Sequence, residues 1–275
     1  MCRLFLSFHS DNTKQLILDF LKQSTQKSKN TPNIDNPRDL ISHGDGFGFA
    51  WLSKDKWKIY KNPNLYTEDN DLPNLLNYMP KQFVIGHIRK KIYGTPKMEN
   101  THPFLFENQV FFQNGNIKHF PKHKTELKRR ISSKYLDKIT GNTDTEVLFF
   151  IFLTILEDVR SRTNHTQQSE EIVLYNAMMN MFDFFRKQNI EISANLIYGN
   201  SEYVVITRFL HYTLADYATN QHAPSLYWNV SDSIVIRSEP LQSDVELEMI
   251  PENTILIVNH KKDNVNQYPI QLRLV

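Results

Sequence analysis

CRLFLSF, residues 2–8, places Cys2, Leu4, Leu6 and Phe8 on one face of an extended chain. Such a period of two residues predicts a β-strand that begins at the amino terminus. The stretch also holds the only cysteine of the chain. A sole thiol at the second residue is either a small apolar member of this strand or the reactive group of a site.

The composition is that of an ordinary globular protein. The chain has 275 residues, of which 40% are hydrophobic and 23% charged, enough for a sizeable core. Its net charge of +2 is too small to favour a nucleic-acid or membrane-surface partner. A single cysteine excludes an intramolecular disulfide and a cysteine-rich zinc site, and we expect no metal and no cofactor.

The sequence contains no segment with the pattern of a membrane span or of a secretion signal. A span needs about 20 consecutive apolar residues, and Arg3, Ser7 and His9 interrupt the apolar stretch at the amino terminus. We therefore expect a cytoplasmic protein without membrane association.

Predicted strands surround two apolar helices. These helices are predicted at residues 144–160 and about 171–188, and a basic helix at 124–136 precedes them. The last predicted strand, PIQLRLV, spans residues 269–275. Two helices between two sets of strands indicate a layered α+β sandwich. Because no repeat or linker divides the chain, we predict a single domain over residues 1–275.

Shorter patterns predict the remaining elements. Helices are expected over residues 11–23 and near 71–79, and the polar stretch 23–43 is expected to be a long loop that contributes to the specificity pocket. The other predicted strands are residues 2–8, 46–52, 56–61, 82–89, 103–106, 109–115, 194–199, 202–210, 225–229, 233–241 and 254–259.

Cys2 gains a chemical role if the initiator methionine is removed, which a small second residue favours. The thiol and a free α-amino group would then belong to one residue. A thiol has a pKa of about 8.5 and an α-amino group one of about 7.7–8.0. The amine is partly neutral near pH 7, so it can accept the thiol proton without a histidine.

Three further sites supply groups that would suit such a nucleophile. The Asn114 amide and the Gly115 N–H, in QNGN, can form an oxyanion hole, although Asn-Gly is also a common hairpin turn. Arg89 ends an apolar strand, where it can bind a carboxylate. Asp144 begins a helix, where it can bind an ammonium group or simply match the helix dipole. Together these groups suit an amide of an amino acid with free α-groups, such as glutamine or another γ-glutamyl compound.

The order of these motifs resembles the class II glutamine amidotransferase family, N-terminal-nucleophile hydrolases with a four-layer αββα sandwich. The resemblance covers nearly the whole chain and is most similar to the stand-alone branch. The matching elements are Cys2, the DGFG turn at 45–48, His87-Ile88-Arg89, NTHPF at 100–104, Asn114-Gly115, GNTDTE at 141–146, SEPL at 238–241 and IPENTILIV at 250–258.

The resemblance implies a role for each matching residue. Cys2 would be the nucleophile, with Asn114 and Gly115 as the catalytic oxyanion hole. Arg89 would bind the α-carboxylate of the substrate and Asp144 its α-ammonium. The NTHPF element adds His102 to the substrate-binding residues. The reaction would pass through a γ-glutamyl thioester.

Two departures from the family pattern bear on the substrate. Ile92 stands where the family has a threonine near the substrate carboxylate, and Gln113 replaces the histidine common before Asn-Gly. Relatives of this branch act on γ-glutamyl compounds such as glutathione or a sulfur-containing intermediate of ergothioneine synthesis, and the Ile92 departure favours such a hydrolase. The sequence leaves open two other functions, an ammonia-supplying glutaminase subunit of a separate synthase and a non-catalytic interaction subunit that retains the fold. It also leaves open a synthase or amidase-complex partner and a homo-oligomer.

Overall fold

The computed structural model of the protein describes residues 2–8, 10, 12–25, 43–79, 83–163, 168–212, 222–230, 233–241, 247–262 and 264–271. Met1 and most of the loop predicted for residues 23–43 lie outside this part of the chain.

The described residues form thirteen strands and six α-helices. In chain order they are β1 (Arg3–Phe8), α1 (Thr13–Lys22), β2 (Phe47–Ser53), β3 (Lys56–Asn62), α2 (Leu72–Tyr78), β4 (Phe83–Ile88), β5 (Phe104–Phe106), β6 (Gln109–Ile117), α3 (Phe120–Arg129), α4 (Ser133–Leu136), α5 (Asp144–Thr163), α6 (Glu170–Lys187), β7 (Ile192–Gly199), β8 (Tyr203–His211), β9 (Tyr227–Val230), β10 (Ile234–Arg237), β11 (Glu248–Met249), β12 (Thr254–Asn259) and β13 (Asn264–Pro269).

The strands form two sheets. The strand order is β11-β9-β10-β1-β4-β2-β3 in the seven-stranded sheet and β13-β12-β8-β7-β6-β5 in the six-stranded sheet. Every pair in the first sheet is antiparallel. In chain order, strands come before and after the two apolar helices, as the sequence predicted.

The chain divides into two compact units, each built from two segments. One comprises Met1–Asn114 and Ser225–Ile250, and the other comprises Gly115–Pro224 and Pro251–Val275. Strand β6 therefore begins in the first unit and ends in the second. That residues 1–275 act as a single domain stays a prediction.

The core of the first unit is formed by aromatic residues of β1, β2 and α1. Helix α1 buries Ile17, Phe20 and Leu21 on one side, as its amphipathic pattern predicts. The Phe20 ring stacks on Phe5 of β1 with centroids 5.2 Å apart and meets Phe49 of β2 edge-on at 6.5 Å. These contacts hold α1 against the strands that carry the amino terminus.

The second unit is organised around α5 and α6. Helix α5 is buried on nearly all sides over its first three turns, which agrees with its apolar sequence. Helix α6 begins after Ser169, whose hydroxyl accepts a hydrogen bond from the Ile172 N–H. Its buried face contacts the six-stranded sheet through Phe182, which stacks on Phe209 of β8 at 4.0 Å.

The helix predicted for residues 124–136 is wrong in its bounds. The structure has α3 at Phe120–Arg129 and a separate short α4 at Ser133–Leu136. Pro121 fits the first turn of α3, where a missing N–H costs nothing. Ser132 has an extended backbone (φ −54°, ψ 140°), which interrupts the helical path before α4.

The last strand was also predicted in the wrong place. The structure forms β13 from Asn264–Pro269, in antiparallel register with β12 from Asn259↔Asn264 to Thr254↔Pro269. A short turn follows β12, so the residues that pair with it must come immediately afterwards. Residues 270 and 271 are not in the strand, and 272–275 lie outside the described part of the chain.

Replacing Phe20 by alanine should destabilise the protein by about 3–5 kcal/mol, because a fully buried ring is lost and its cavity refills only in part. Urea unfolding followed by circular dichroism measures this change. The exposed Gln15→Ala on the same helix is the matched control and should stay within about 0.5 kcal/mol of wild type. Equal effects of the two substitutions would contradict this description of the core.

Candidate active site

Three strand ends of the seven-stranded sheet meet beside Cys2. Antiparallel pairing sets Arg3 at the start of β1 opposite Ile88 at the end of β4, and Phe47 at the start of β2 opposite the same residue. The ladder continues past the strands, because the Arg89 N–H donates to the Gly46 carbonyl at 2.8 Å. Cys2 therefore lies next to the residues that follow β4.

The Cys2 thiol contacts the backbone of Lys90. Its Sγ lies 3.4 Å from the Lys90 carbonyl oxygen, to which it donates, and 3.4 Å from the Lys90 nitrogen, whose N–H it accepts. The residue is only 8% exposed. The sulfur is thus fixed in direction by main-chain groups, independent of the lysine side chain.

Arg89 is buried and binds three backbone carbonyls. Its Nη1 donates to the Asp45 oxygen at 3.2 Å, and its Nη2 donates to Tyr93 and Gly94 at 2.8 and 3.0 Å. The Asp45 carboxylate accepts the Lys91 N–H at 2.9 Å. The loop after β4 therefore surrounds the guanidinium of Arg89, a residue that is 3% exposed.

Two buried histidines stack next to this arginine. The rings of His87 and His102 have centroids 3.9 Å apart, and His87 Nε2 lies 3.1 Å from the Gln113 carbonyl oxygen. Burial lowers the pKa of His87 to about 3, and Arg89 adds to the decrease. Burial also lowers the pKa of His102 well below its usual value, with smaller contributions from His87 and Arg89. Both rings are therefore neutral at physiological pH.

His102 was predicted from its motif to bind substrate, and the structure places it in the interior of the first unit. Its backbone carbonyl approaches Gly48 so closely that a Cβ built there would lie 2.2 Å from the oxygen. Its ring meets Phe104 edge-on at 5.0 Å. A role in substrate binding stays a prediction, whereas the contact with His87 was not foreseen from the sequence.

Asn114 and Gly115 occupy consecutive positions near the end of β6. Asn114 is 2% exposed and is the last residue of the first unit. In the second unit, a Cβ on Gly115 would lie 2.0 Å from the Ser193 carbonyl oxygen, so only glycine fits. The Ser193 hydroxyl accepts the Asn116 N–H at 3.2 Å, which holds the segment against β7.

Asp144 starts α5 in the second unit. Its Oδ2 accepts the Ile117 N–H at 2.8 Å and its Oδ1 accepts the Thr145 N–H at 3.0 Å. Glu146 binds the N–H groups of Thr140 and Gly141, which fixes the turn before the helix. The carboxylate of Asp144 thus holds the end of β6, a function that the sequence did not indicate.

The first unit brings Cys2, Arg89, His87 and His102 into one region, and Asn114 follows the residue that His87 contacts. Gly115 and Asp144 belong to the second unit, where both act on the end of β6. The roles assigned to these residues in the sequence analysis stay predictions. A signal for His87 was present in the sequence, because it lies two residues before Arg89 on a strand of otherwise apolar and glycine residues.

The described residues contain neither a membrane-spanning helix nor a cluster of metal ligands. No helix in these ranges is both long and apolar enough to cross a bilayer. Over the same ranges, no three histidine, cysteine or carboxylate side chains converge in a way that could hold a metal ion.

Comparison with known sequences identifies similar proteins. Residues 1–259 match the family described as "Glutamine amidotransferases class-II". The chain is 27% identical over 261 residues to "Probable glutamine amidotransferase DUG3" of Saccharomyces cerevisiae, which covers 83% of this chain and 72% of that protein.

Solved structures show the same fold. The glutamine aminotransferase class-II domain protein of Silicibacter pomeroyi superposes with a TM-score of 0.59 at 14% identity, covering 98% of this chain and 99% of that one. Glutamine phosphoribosylpyrophosphate amidotransferase of Bacillus subtilis gives 0.63 at 17% identity, covering 99% of this chain but 50% of that one. These likenesses confirm the predicted fold class, α+β of the N-terminal-nucleophile hydrolase type.

Acidification should destabilise the protein through His87. Its folded pKa of about 3 lies below the ordinary value of about 6.5, so between these values only the unfolded chain takes up the proton. The free energy of unfolding contributed by this residue is complete above pH 7 and is lost as the pH falls through 6.5 toward 3. From pH 7 to pH 5 the loss is about 2 kcal/mol.

The measurement is urea unfolding of wild type and His87→Gln at both pH values. The glutamine variant does not titrate at this position, so it should lose about 2 kcal/mol less than wild type between pH 7 and pH 5. Identical losses in the two proteins would show that His87 is not buried as a neutral ring.

Proposed function

Because the chain belongs to the class II glutamine amidotransferase family, we propose that it is an amidohydrolase that cleaves the γ-glutamyl amide of glutamine or of another γ-glutamyl compound through Cys2. The observation that supports this most is the placement of the thiol. Cys2 Sγ is held by the backbone of Lys90, the residue directly after Arg89, at the junction of three strand ends.

The nucleophile would be generated within Cys2 itself. Removal of Met1 frees the α-amine, which takes the proton of the thiol directly or through one water molecule. The thiolate attacks the γ-carbonyl carbon of the substrate, and a C–S bond forms as the carbonyl π electrons move to oxygen. The Lys90 N–H donates to the sulfur in the resting protein and so limits the directions from which it can attack.

The negative oxygen of the tetrahedral intermediate would be bound by Asn114 and by the N–H of Gly115. The C–N bond then breaks, and the leaving amine departs as ammonia or a larger amine with the proton held by the α-amine of Cys2. Water attacks the resulting thioester, which releases glutamate and restores the thiol. One oxyanion donor of this kind contributes about 2.7–4 kcal/mol of transition-state stabilisation.

Arg89 would bind the α-carboxylate, and the ammonium-binding role of Asp144 remains part of this proposal. The loop after Arg89 is shaped by main-chain contacts to Arg89 and Asp45, and Ile92 in that loop is 53% exposed. An apolar, exposed Ile92 cannot donate a hydrogen bond to the substrate carboxylate. Glutamine and larger γ-glutamyl compounds share this carboxylate, so both classes of substrate are included in the assay.

Substituting Cys2 by alanine should reduce hydrolysis of the γ-glutamyl amide by at least about 1,000-fold. The melting temperature should change little, because alanine removes a single sulfur atom whose hydrogen bonds with Lys90 are to main-chain groups. The assay follows glutamate release from glutamine and from γ-glutamyl peptides by wild type and variant. Intact mass of the active protein should show that Met1 is absent.

Three results would contradict this proposal: activity that survives Cys2→Ala, active protein that retains Met1, or wild type with no activity on any γ-glutamyl amide. The last result would favour a non-catalytic interaction subunit. Activity on glutamine that appears only with an added synthase would instead favour the hypothesis of an ammonia-supplying subunit.

Replacing Arg89 by lysine should lower kcat/KM for γ-glutamyl substrates about 10- to 100-fold, since the lysine ammonium cannot reproduce the contact of the guanidinium with the α-carboxylate. A substrate whose α-carboxylate is converted to an amide provides the control. Wild type should discriminate strongly against the amidated substrate, and Arg89→Lys should discriminate much less.

The variant should also lose stability, because the guanidinium donates to three backbone carbonyls. Thermal unfolding therefore accompanies the kinetics. Equal discrimination by wild type and variant, with only the melting temperature lowered, would assign Arg89 a structural role alone.

A further inference from the structure

His87 connects the strand that ends at Arg89 to the strand that carries Asn114. It lies in β4, opposite Leu4 of β1 and Gly48 of β2, so its backbone belongs to the centre of the seven-stranded sheet. Its side chain leaves that sheet and reaches the carbonyl oxygen of Gln113 in β6, 3.1 Å from Nε2. The Gln113 carbonyl and the Asn114 N–H belong to the same peptide group.

The hydrogen bond defines the tautomer of His87. A carbonyl oxygen can only accept, so Nε2 must carry the proton. The ring is neutral, because it is completely buried next to the Arg89 guanidinium. Its single proton is therefore on Nε2, and within the described residues Nδ1 has no hydrogen-bond partner.

The orientation of the ring is restricted by its neighbours. The His102 ring lies over it with centroids 3.9 Å apart, and Phe104 and Phe112 contact His102 in turn. Neither nitrogen of His102 has a hydrogen-bond partner in the described structure, so the contact between the two histidines is one of ring packing. The His87 side chain thus packs against the His102 ring and hydrogen-bonds to the Gln113 carbonyl.

We propose that His87 is a positioning residue for the oxyanion hole, which orients the Gln113–Asn114 peptide group and so fixes where the Asn114 amide points. This inference rests on the proposed function of Asn114. The bond goes to the main chain of residue 113, so it does not depend on the side chain there. That explains how glutamine can occupy a position where the family commonly has histidine.

The test compares three substitutions that place a donor differently. Glutamine sets its amide nitrogen at about the reach of Nε2, asparagine sets it at that of Nδ1, and leucine has no donor. His87→Gln should keep kcat for γ-glutamyl amide hydrolysis within about threefold of wild type. His87→Asn and His87→Leu should lower kcat about 10- to 100-fold, because a small displacement of an oxyanion donor has that effect. KM should change less than about threefold in all three variants, since no substrate contact is removed.

Thr207→Val is the matched control for the loss of a buried side-chain bond to a backbone carbonyl. Thr207 is fully buried, and its hydroxyl donates to the Ala194 oxygen at 2.8 Å in the second unit. This variant should lose stability as His87→Leu does and keep wild-type kcat. Nitrogen-15 NMR of histidine-labelled wild type at pH 7 gives a readout that does not depend on activity, and it should show His87 as the neutral tautomer protonated on Nε2.

Each outcome separates this inference from the function on which it rests. Active wild type with His87→Asn as active as His87→Gln would overturn the inference and leave the proposed function intact. A charged His87, or one protonated on Nδ1, would overturn it as well. A KM that rises in His87→Leu while kcat stays constant would make the residue part of substrate binding instead. Wild type without amidohydrolase activity would overturn both proposals.

Discussion

The antiparallel pairing of β1, β2 and β4 is the constraint on which the candidate site depends. It sets the starts of β1 and β2 beside the end of β4. Residues more than 40 positions apart in the chain therefore lie side by side at these strand ends. The hydrogen bond from the Arg89 N–H to the Gly46 carbonyl extends this order beyond the strands. A thiol at residue 2 therefore has a fixed environment, although it is close to the amino terminus.

Arg89 and His87 are buried next to these strand ends and hydrogen-bond to the backbone. Arg89 donates to three carbonyls, and His87 donates to one. A buried guanidinium without such partners would cost several kcal/mol. Main-chain acceptors do not move independently of the fold, so these bonds also make the positions of Arg89 and His87 depend on complete folding of the first unit.

The second unit applies the same principle to the end of β6. The Asp144 carboxylate accepts the Ile117 N–H, and the Ser193 hydroxyl accepts the Asn116 N–H. Gly115 lies before these two residues, in a position that no other residue fits. Asp144, which the family pattern associates with substrate, thus also has a structural role. Mutation of Asp144 alone would change both substrate binding and the structure at the end of β6.

The sequence by itself determined the order and type of nearly all elements, because alternation and helical periodicity are local properties. It also determined the family, through short motifs in a fixed order. Local patterns predicted the last strand wrongly, since pairing with β12 decided which residues form β13. They also missed the interruption at Ser132.

Only the tertiary structure decided which buried groups meet. The contact of His87 with Gln113 joins residues 26 positions apart, and that of Cys2 with Lys90 joins residues 88 apart. No local pattern encodes contacts between residues so far apart in the chain. They follow from strand register and from the direction in which side chains project from a sheet. The sequence supplied the thiol, the arginine and the Asn-Gly pair, and strand pairing in the folded chain decided that the thiol lies beside Lys90 and that a neutral histidine bonds the peptide group before Asn114.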